Sequence, residues 1–215
     1  MISHALTIVT NELEAHLTDA YGSASGGLPQ TALGNLAEGF ASGTTGSAGV
    51  QRDVLCLSMV NIQEEKALKN LPNQIRDEAA LKVVYQNPPV FLNCRILMVA
   101  THSDYKNALL MLSRAIRFFQ YKKVFTQDDV LPASISTGAP TNTLDQLEKF
   151  RLIFDLHSPT MEEVNHLWGT LGGKQYPFVL YTLRLMELQF KGAQKEGRLV
   201  TEVVRGYQHK LQAAN

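Results

Sequence analysis

Two stretches of this 215-residue chain are apolar on both alternations of a strand. In DVLCLSMVNI, residues 53–62, Val54, Cys56 and Val60 share one side, and Leu55, Leu57 and Met59 share the other. PVFLNCRILMVA, residues 89–100, has the same character. Successive strand side chains point to opposite faces, so a half-solvated strand alternates apolar with polar residues. A run without alternation needs cover on both faces and belongs in the middle of a sheet. Pro88 and Pro89 lack ladder donors and suit the start of the second strand.

The cover has to come from helices. Ile2, Leu6, Val9, Leu13 and Leu17 form one stripe of a helix over about residues 2–20. Thr101 to Asp104 reads as a capping box before a second helix, ending near Tyr121, with Tyr105, Leu109, Leu112, Ile116 and Phe119 as its buried stripe. A third helix is expected to start at Ser158-Pro159 and to turn Val164, Leu167, Trp168 and Leu171 inward, until Gly172-Gly173 stops it. Further strands are expected at residues 123–126, 150–156 and 177–190. QEEKALKNLPNQIRDEAALK, residues 63–82, reads as a polar loop with a helical turn or short helix, and residues 127–147 as a second long loop. The order gives an α/β or α+β fold with one mixed β-sheet flanked by helices. Residues 1–191 form a single domain, and 192–215 a C-terminal extension whose RLVTEVVRGY has strand composition.

Residues 22–51 break the pattern. They hold eight of the fifteen glycines and almost no charge. A loop this long within a compact domain is either functional or unstructured, and this one could order against a partner.

Twenty basic residues balance twenty acidic ones. That argues against a nucleic-acid binder, whose affinity rests on a basic face. Arg114, Arg117, Lys122 and Lys123 cluster at a helix end, where they complement its dipole. Proteins that stay dispersed usually carry net charge; a subunit buried in an assembly need not. Cys56 and Cys94 sit inside apolar runs and read as small buried hydrophobes. The first residues lack the basic region of a signal peptide, and no stretch approaches twenty apolar residues. Assembly in the cytoplasm, without direct membrane insertion, is the expectation.

Catalytic patterns are weak throughout. Thr101-His102-Ser103-Asp104 holds triad residue types, but consecutive residues at a helix start diverge, and capping explains them better. The six histidines lack metal spacing, and no HExxH, CxxC, GxSxG or complete phosphate loop occurs. Glu64, Glu65 and Lys66 form a charge cluster after the first apolar strand, with Glu65 and Lys69 able to pair if that segment is helical. A solvated turn or a subunit contact explains it better than a catalytic carboxylate pair. No enzyme activity, cofactor or metal is expected.

Several segments in order carry a resemblance: VNIQEEKALKN at 60–70, NPPVFLN at 87–93, ATHSDYKNAL at 100–109, LSRAIRFFQ at 112–120 with KVFT at 123–126, and NHLWGTLGGKQYPFVLYTLRL at 165–185. Together they resemble the cap, or tail-terminator, proteins of phage-tail-like contractile injection systems, of which antifeeding prophage and Photorhabdus virulence cassette particles are examples. The match covers about residues 1–190. It implies a hexameric ring at the end of the particle away from the baseplate, which closes the inner tube and holds the last sheath ring. The implied partners are copies of the same chain and the sheath and inner-tube proteins. The rival reading is another non-catalytic tube or baseplate adaptor.

Leu28, Phe40, Glu64, Glu65, Lys66, Arg198, Val200, Val203, Arg205 and Tyr207 are the candidate subunit or sheath contacts. Lys174 and Arg184 are further candidate interface cations, Trp168 reads as core, and Gly169 as a point of close packing. RLVTEVVRGY is either a strand added to a neighbouring subunit or a last strand of the chain's own sheet.

Overall fold

The structure, a computed structural model, describes residues 1–22, 30–40, 49–77, 81–189 and 195–198, with Val203 and Arg205. Its centre is the mixed sheet the apolar runs require. The strands are β1 (Thr31–Leu33), β2 (Leu55–Glu64), β5 (Val90–Ala100), β8 (Phe178–Leu188), β7 (Arg151–His157) and β6 (Val124–Thr126), in that spatial order. The β1–β2 pair is parallel and the others antiparallel. A second, three-stranded antiparallel sheet joins β3 (Gln74–Asp77), β4 (Lys82–Tyr85) and β9 (Lys195–Arg198).

The two apolar runs are the adjacent strands β2 and β5, and each feeds two cores. On one face Leu55, Leu57, Cys94, Ile96 and Met98 pack with helices α1 (Ile2–Tyr21) and α2 (Tyr105–Tyr121). On the other, Val54, Cys56, Leu97 and Val99 pack under Val164 and Trp168 of α4 (Met161–Thr170) and under Leu36 and Val50. The double cover ends midway along β2: a bulge follows Met59, which is exposed, and beyond the half-buried Val60 the rest of the strand is exposed. The expected stripe of α1 is buried at Leu6, Val9, Leu13 and Leu17, with Ile2 half-buried at its start.

Four local expectations need correction. The buried face of α2 is Ala108, Met111, Leu112, Ala115, Phe118 and Phe119; Tyr105, Leu109 and Ile116 face outward. The apolar arc of this helix is wide and continues through Tyr105, Leu109 and Ile116 beyond the side that meets the sheet, so the residues at its outer flank read as buried ones. Ala108 and Ala115 on the inner side let the helix approach the sheet, and Phe119 stacks near Phe154 and Tyr181 at 5.1 and 4.8 Å between centroids.

Its N-cap is Asp104, whose carboxylate accepts from the Lys106 N–H at 3.2 Å. Thr101 instead is buried, and its hydroxyl accepts from the Val54 N–H at 3.1 Å, tying the end of β5 to the start of β2.

The third long helix starts two residues later than Pro159 suggests. Thr160 accepts from the Glu163 N–H at 3.3 Å, and the Glu163 carboxylate accepts from the Thr160 N–H at 2.8 Å. That reciprocal pair satisfies two free donors, which Ser158-Pro159 does not. Gly172 and Gly173 end the helix at φ 95° and 78°, and the Gly173 N–H donates to the Trp168 carbonyl at 2.7 Å.

Residues 63–82, expected as a polar loop with a helical turn or short helix, have the turn but also carry strand structure that was not expected. After β2 a single 3-10 turn, Lys66–Leu68, leads into the β3–β4 hairpin. Lys69 consequently pairs with Glu64 at 3.5 Å, not with Glu65. The second long loop contains a short helix, α3 (Pro132–Ser136), held against α1 by the Asn11 amide, which donates to the Ser134 and Thr137 carbonyls at 3.0 and 2.9 Å.

Candidate assembly surfaces

The polar groups inside the molecule join elements. Glu12 on α1 accepts from Lys122 Nζ, just past α2, at 2.7 Å and from the Leu131 N–H at 2.7 Å; the same ammonium donates to the Asp129 carbonyl at 2.8 Å. Burial on its own would raise the Glu12 pKa, but bonds from Lys122, Ser134 and Leu131 and the Lys122 charge outweigh it and hold the carboxyl below its ordinary value. Glu14 accepts from the Thr31 hydroxyl and N–H at 2.7 and 2.8 Å and from the Gln30 N–H, fixing where the Gly-rich segment returns to β1. His4, buried on the inner side of α1, donates from Nε2 to the Ile135 carbonyl at 2.9 Å, while Nδ1 accepts from the Leu147 N–H at 2.9 Å.

No reaction centre forms around the triad-type residues. Asp104 is occupied by its cap. His102 has its pKa lowered by burial, partly opposed by the charge of Asp53, and Asp53 itself accepts from the Ser103 N–H. Burial pushes the Cys56 thiol up to about 12 and raises Cys94 as well, so both are poor nucleophiles, and neither is in a disulfide. Among the described residues no group of three His, Cys, Asp or Glu could hold a metal ion, and no helix is long and apolar enough to cross a membrane. An open groove of about 1020 Å³ runs beside Met1, Ile2, Leu144, Leu147 and Leu188.

The candidate contacts fall in separate places. Phe40 is half-buried, edge-on to Tyr176 at 5.6 Å and under the Arg52 guanidinium at 4.2 Å, so its ring anchors the Gly-rich segment to the chain's own α4 layer. Glu64 is exposed and paired with Lys69. Glu65 accepts from the Asn93 amide at 2.9 Å and caps the turn at the Ala67 N–H, and these two bonds lower its pKa. Lys66 is exposed. These three therefore form a surface turn at the far end of β2, not a buried carboxylate pair. Arg198 pairs by its backbone with Lys82, so the first residue of RLVTEVVRGY belongs to the chain's own small sheet. Val203 and Arg205 are exposed; Leu28, Val200 and Tyr207 lie outside the described residues. Arg184 pairs with Asp155 at 3.3 Å, and Lys174 is exposed.

Sequence reasoning missed the exposed apolar residues of α2 and the outward face of α4. The usable signal was charge: α2 carries Lys106, Arg114 and Arg117 with no acid, and α4 carries Glu162 and Glu163 with no lysine or arginine.

These features define a layered α/β domain whose polar groups serve caps, strand starts and helix junctions, with its exposed chemistry suited to contact. The chain belongs to the family of the Pvc16 N-terminal domain, whose model matches residues 5–202. No curated protein matches it. The fold is similar to the sheath/tube terminator of an extracellular contractile injection system, PVC, in its extended state, with a TM-score of 0.58 at 12% identity. That likeness covers 100% of this chain and 65% of the terminator, so the chain spans slightly less than two thirds of that protein's length. The anti-feeding prophage tube-terminating cap is also similar, at 12% identity over 72% of this chain and 49% of the cap, with a TM-score of 0.49.

Proposed function

We propose that this chain is a non-catalytic terminator subunit of a phage-tail-like contractile particle. It closes as a sixfold ring on the end of the particle away from the baseplate, where it meets the last sheath ring and the inner tube. The observation that carries this reading is family membership over residues 5–202 together with a fold likeness to a sheath/tube terminator that runs the full length of the chain. The physical task fits the molecule. Subunits that add by a helical step grow without limit, so a terminator must match the last ring on one side and offer no growing end on the other. Broad contacts do this, and no active site is needed.

Negative-stain microscopy of the purified protein, alone and with the sheath protein of its particle, tests it. Single or paired rings that stop stacking, and sheaths of uniform length with an added ring at one end, are expected. Tubes that stack indefinitely would make the chain a tube subunit and overturn the terminator reading.

A further inference from the structure

Two outward helix faces have no packing partner among the described residues, and they lie on opposite sides of the main sheet. Helix α2 belongs to one core layer and α4 to the other. The outer side of α2 exposes Tyr105, Leu109, Leu110, Ile116 and Tyr121, the last two at 37% and 81%. Lys106 and Arg117 run between these apolar flanks, and the helix has no acidic residue. A surface helix ordinarily mixes its charges and keeps its apolar residues on one stripe.

On α4 the outward arc is Met161, Glu162, Asn165, His166 and Gly169, with Met161 76% exposed. Gly169 lies one residue from the end of this helix, and a Cβ built there would meet nothing within 4 Å. Among the described residues nothing requires a glycine at that position. Glycine lowers helix stability relative to alanine, so its use fits an external backbone that approaches closely.

We propose that the α2 face of one copy docks on the α4 face of the next, with Arg117 and Lys106 against Glu162 and a helix seated over Gly169. The occupant is a second copy because the two faces complement each other in charge within one chain of zero net charge. They are also two different patches on opposite sides of the molecule, which is what a head-to-tail contact in a closed ring uses. This inference rests on the ring reading above and names the surfaces that make the ring.

The test is a charge exchange in the full chain. In a head-to-tail ring every subunit uses both faces, so Arg117→Glu alone sets like charges against each other at every contact, and so does Glu162→Lys. Each is expected to raise the concentration for half-assembly about tenfold or more by sedimentation velocity. Mixing the two variants, or combining both changes in one chain, is expected to restore rings, because each reversed face then meets its opposite. Gly169→Ala gives an independent readout. It should raise the melting temperature of the protomer by about 2–4 °C while weakening assembly. Single variants that assemble like wild type, or a mixture no better than its parts, would overturn the α2–α4 contact and leave the ring reading standing. Wild-type protein that stays monomeric at every concentration would overturn both.

Discussion

Glu12 shows how one buried charge organises three segments. It sits on α1, and its two oxygens hold the Lys122 ammonium and the Leu131 N–H, so the end of α2 and the start of α3 are fixed to one helix. An ion pair this dry contributes little net stability against a hydrophobic replacement, but losing one partner leaves the other unsatisfied. Glu12→Gln is therefore expected to cost about 2 kcal/mol at pH 7, measured by urea denaturation. The pH dependence has a definite sign. The folded-state pKa lies below the ordinary 4.5, so the stabilisation is fully present above that value and is lost as pH falls through the folded pKa. The gap between wild type and Glu12→Gln should close below about pH 4.5; a gap that stays constant down to pH 3 would show that Glu12 acts through packing alone. None of this pairing was legible in the sequence. Glu12 reads there as part of the polar side of α1, because its partners lie more than a hundred residues away.

At the scale of elements, the sequence is readable where one face of an element dominates. The stripe of α1 and the double burial of β2 and β5 follow directly from periodicity, since each must hide a continuous apolar surface. Readability fails in α2 because outward residues such as Tyr105 and Leu109 are as apolar as inward ones, and only the small Ala108 and Ala115 mark the side that meets the sheet. It fails again at the β3–β4 hairpin, whose strands are four residues each and mostly exposed, so no apolar alternation announces them. For α4 the signal was present but overlooked: Thr160 and Glu163 stand at capping-box spacing. Thr160→Ala removes the side-chain acceptor and frees one of the two donors. It should lower the melting temperature by about 2–4 °C, read by circular dichroism, whereas Ser158→Ala, outside the box, should leave it unchanged.

For the whole molecule, the edges decide how it can associate. The main sheet ends in β1 and β6, three residues each, which are poor templates for continued strand pairing. The small sheet ends in β3 and β9, and β9 comes from the extension after the last long strand. Neither apolar core includes a described residue beyond Leu188. The described part of the tail, β9, pairs with β4 of the small sheet and not with the main sheet. Two truncations separate its parts. Removing residues 199–215 keeps β9 paired to β4; removing 193–215 takes that strand away and opens the β4 edge. Both proteins are expected to melt within about 2 °C of the full chain, since β9 is the tail's described strand and it adds only to a small, mostly exposed sheet. If the segment after β9 docks on the sheath by adding a strand, both truncations should form rings but leave sheath ends uncapped and particles of irregular length by electron microscopy. Uniform particles from the 199–215 truncation alone would assign sheath docking to β9 and the surface it completes. Uniform particles from both would remove the tail from sheath docking altogether and assign it to the body of the domain.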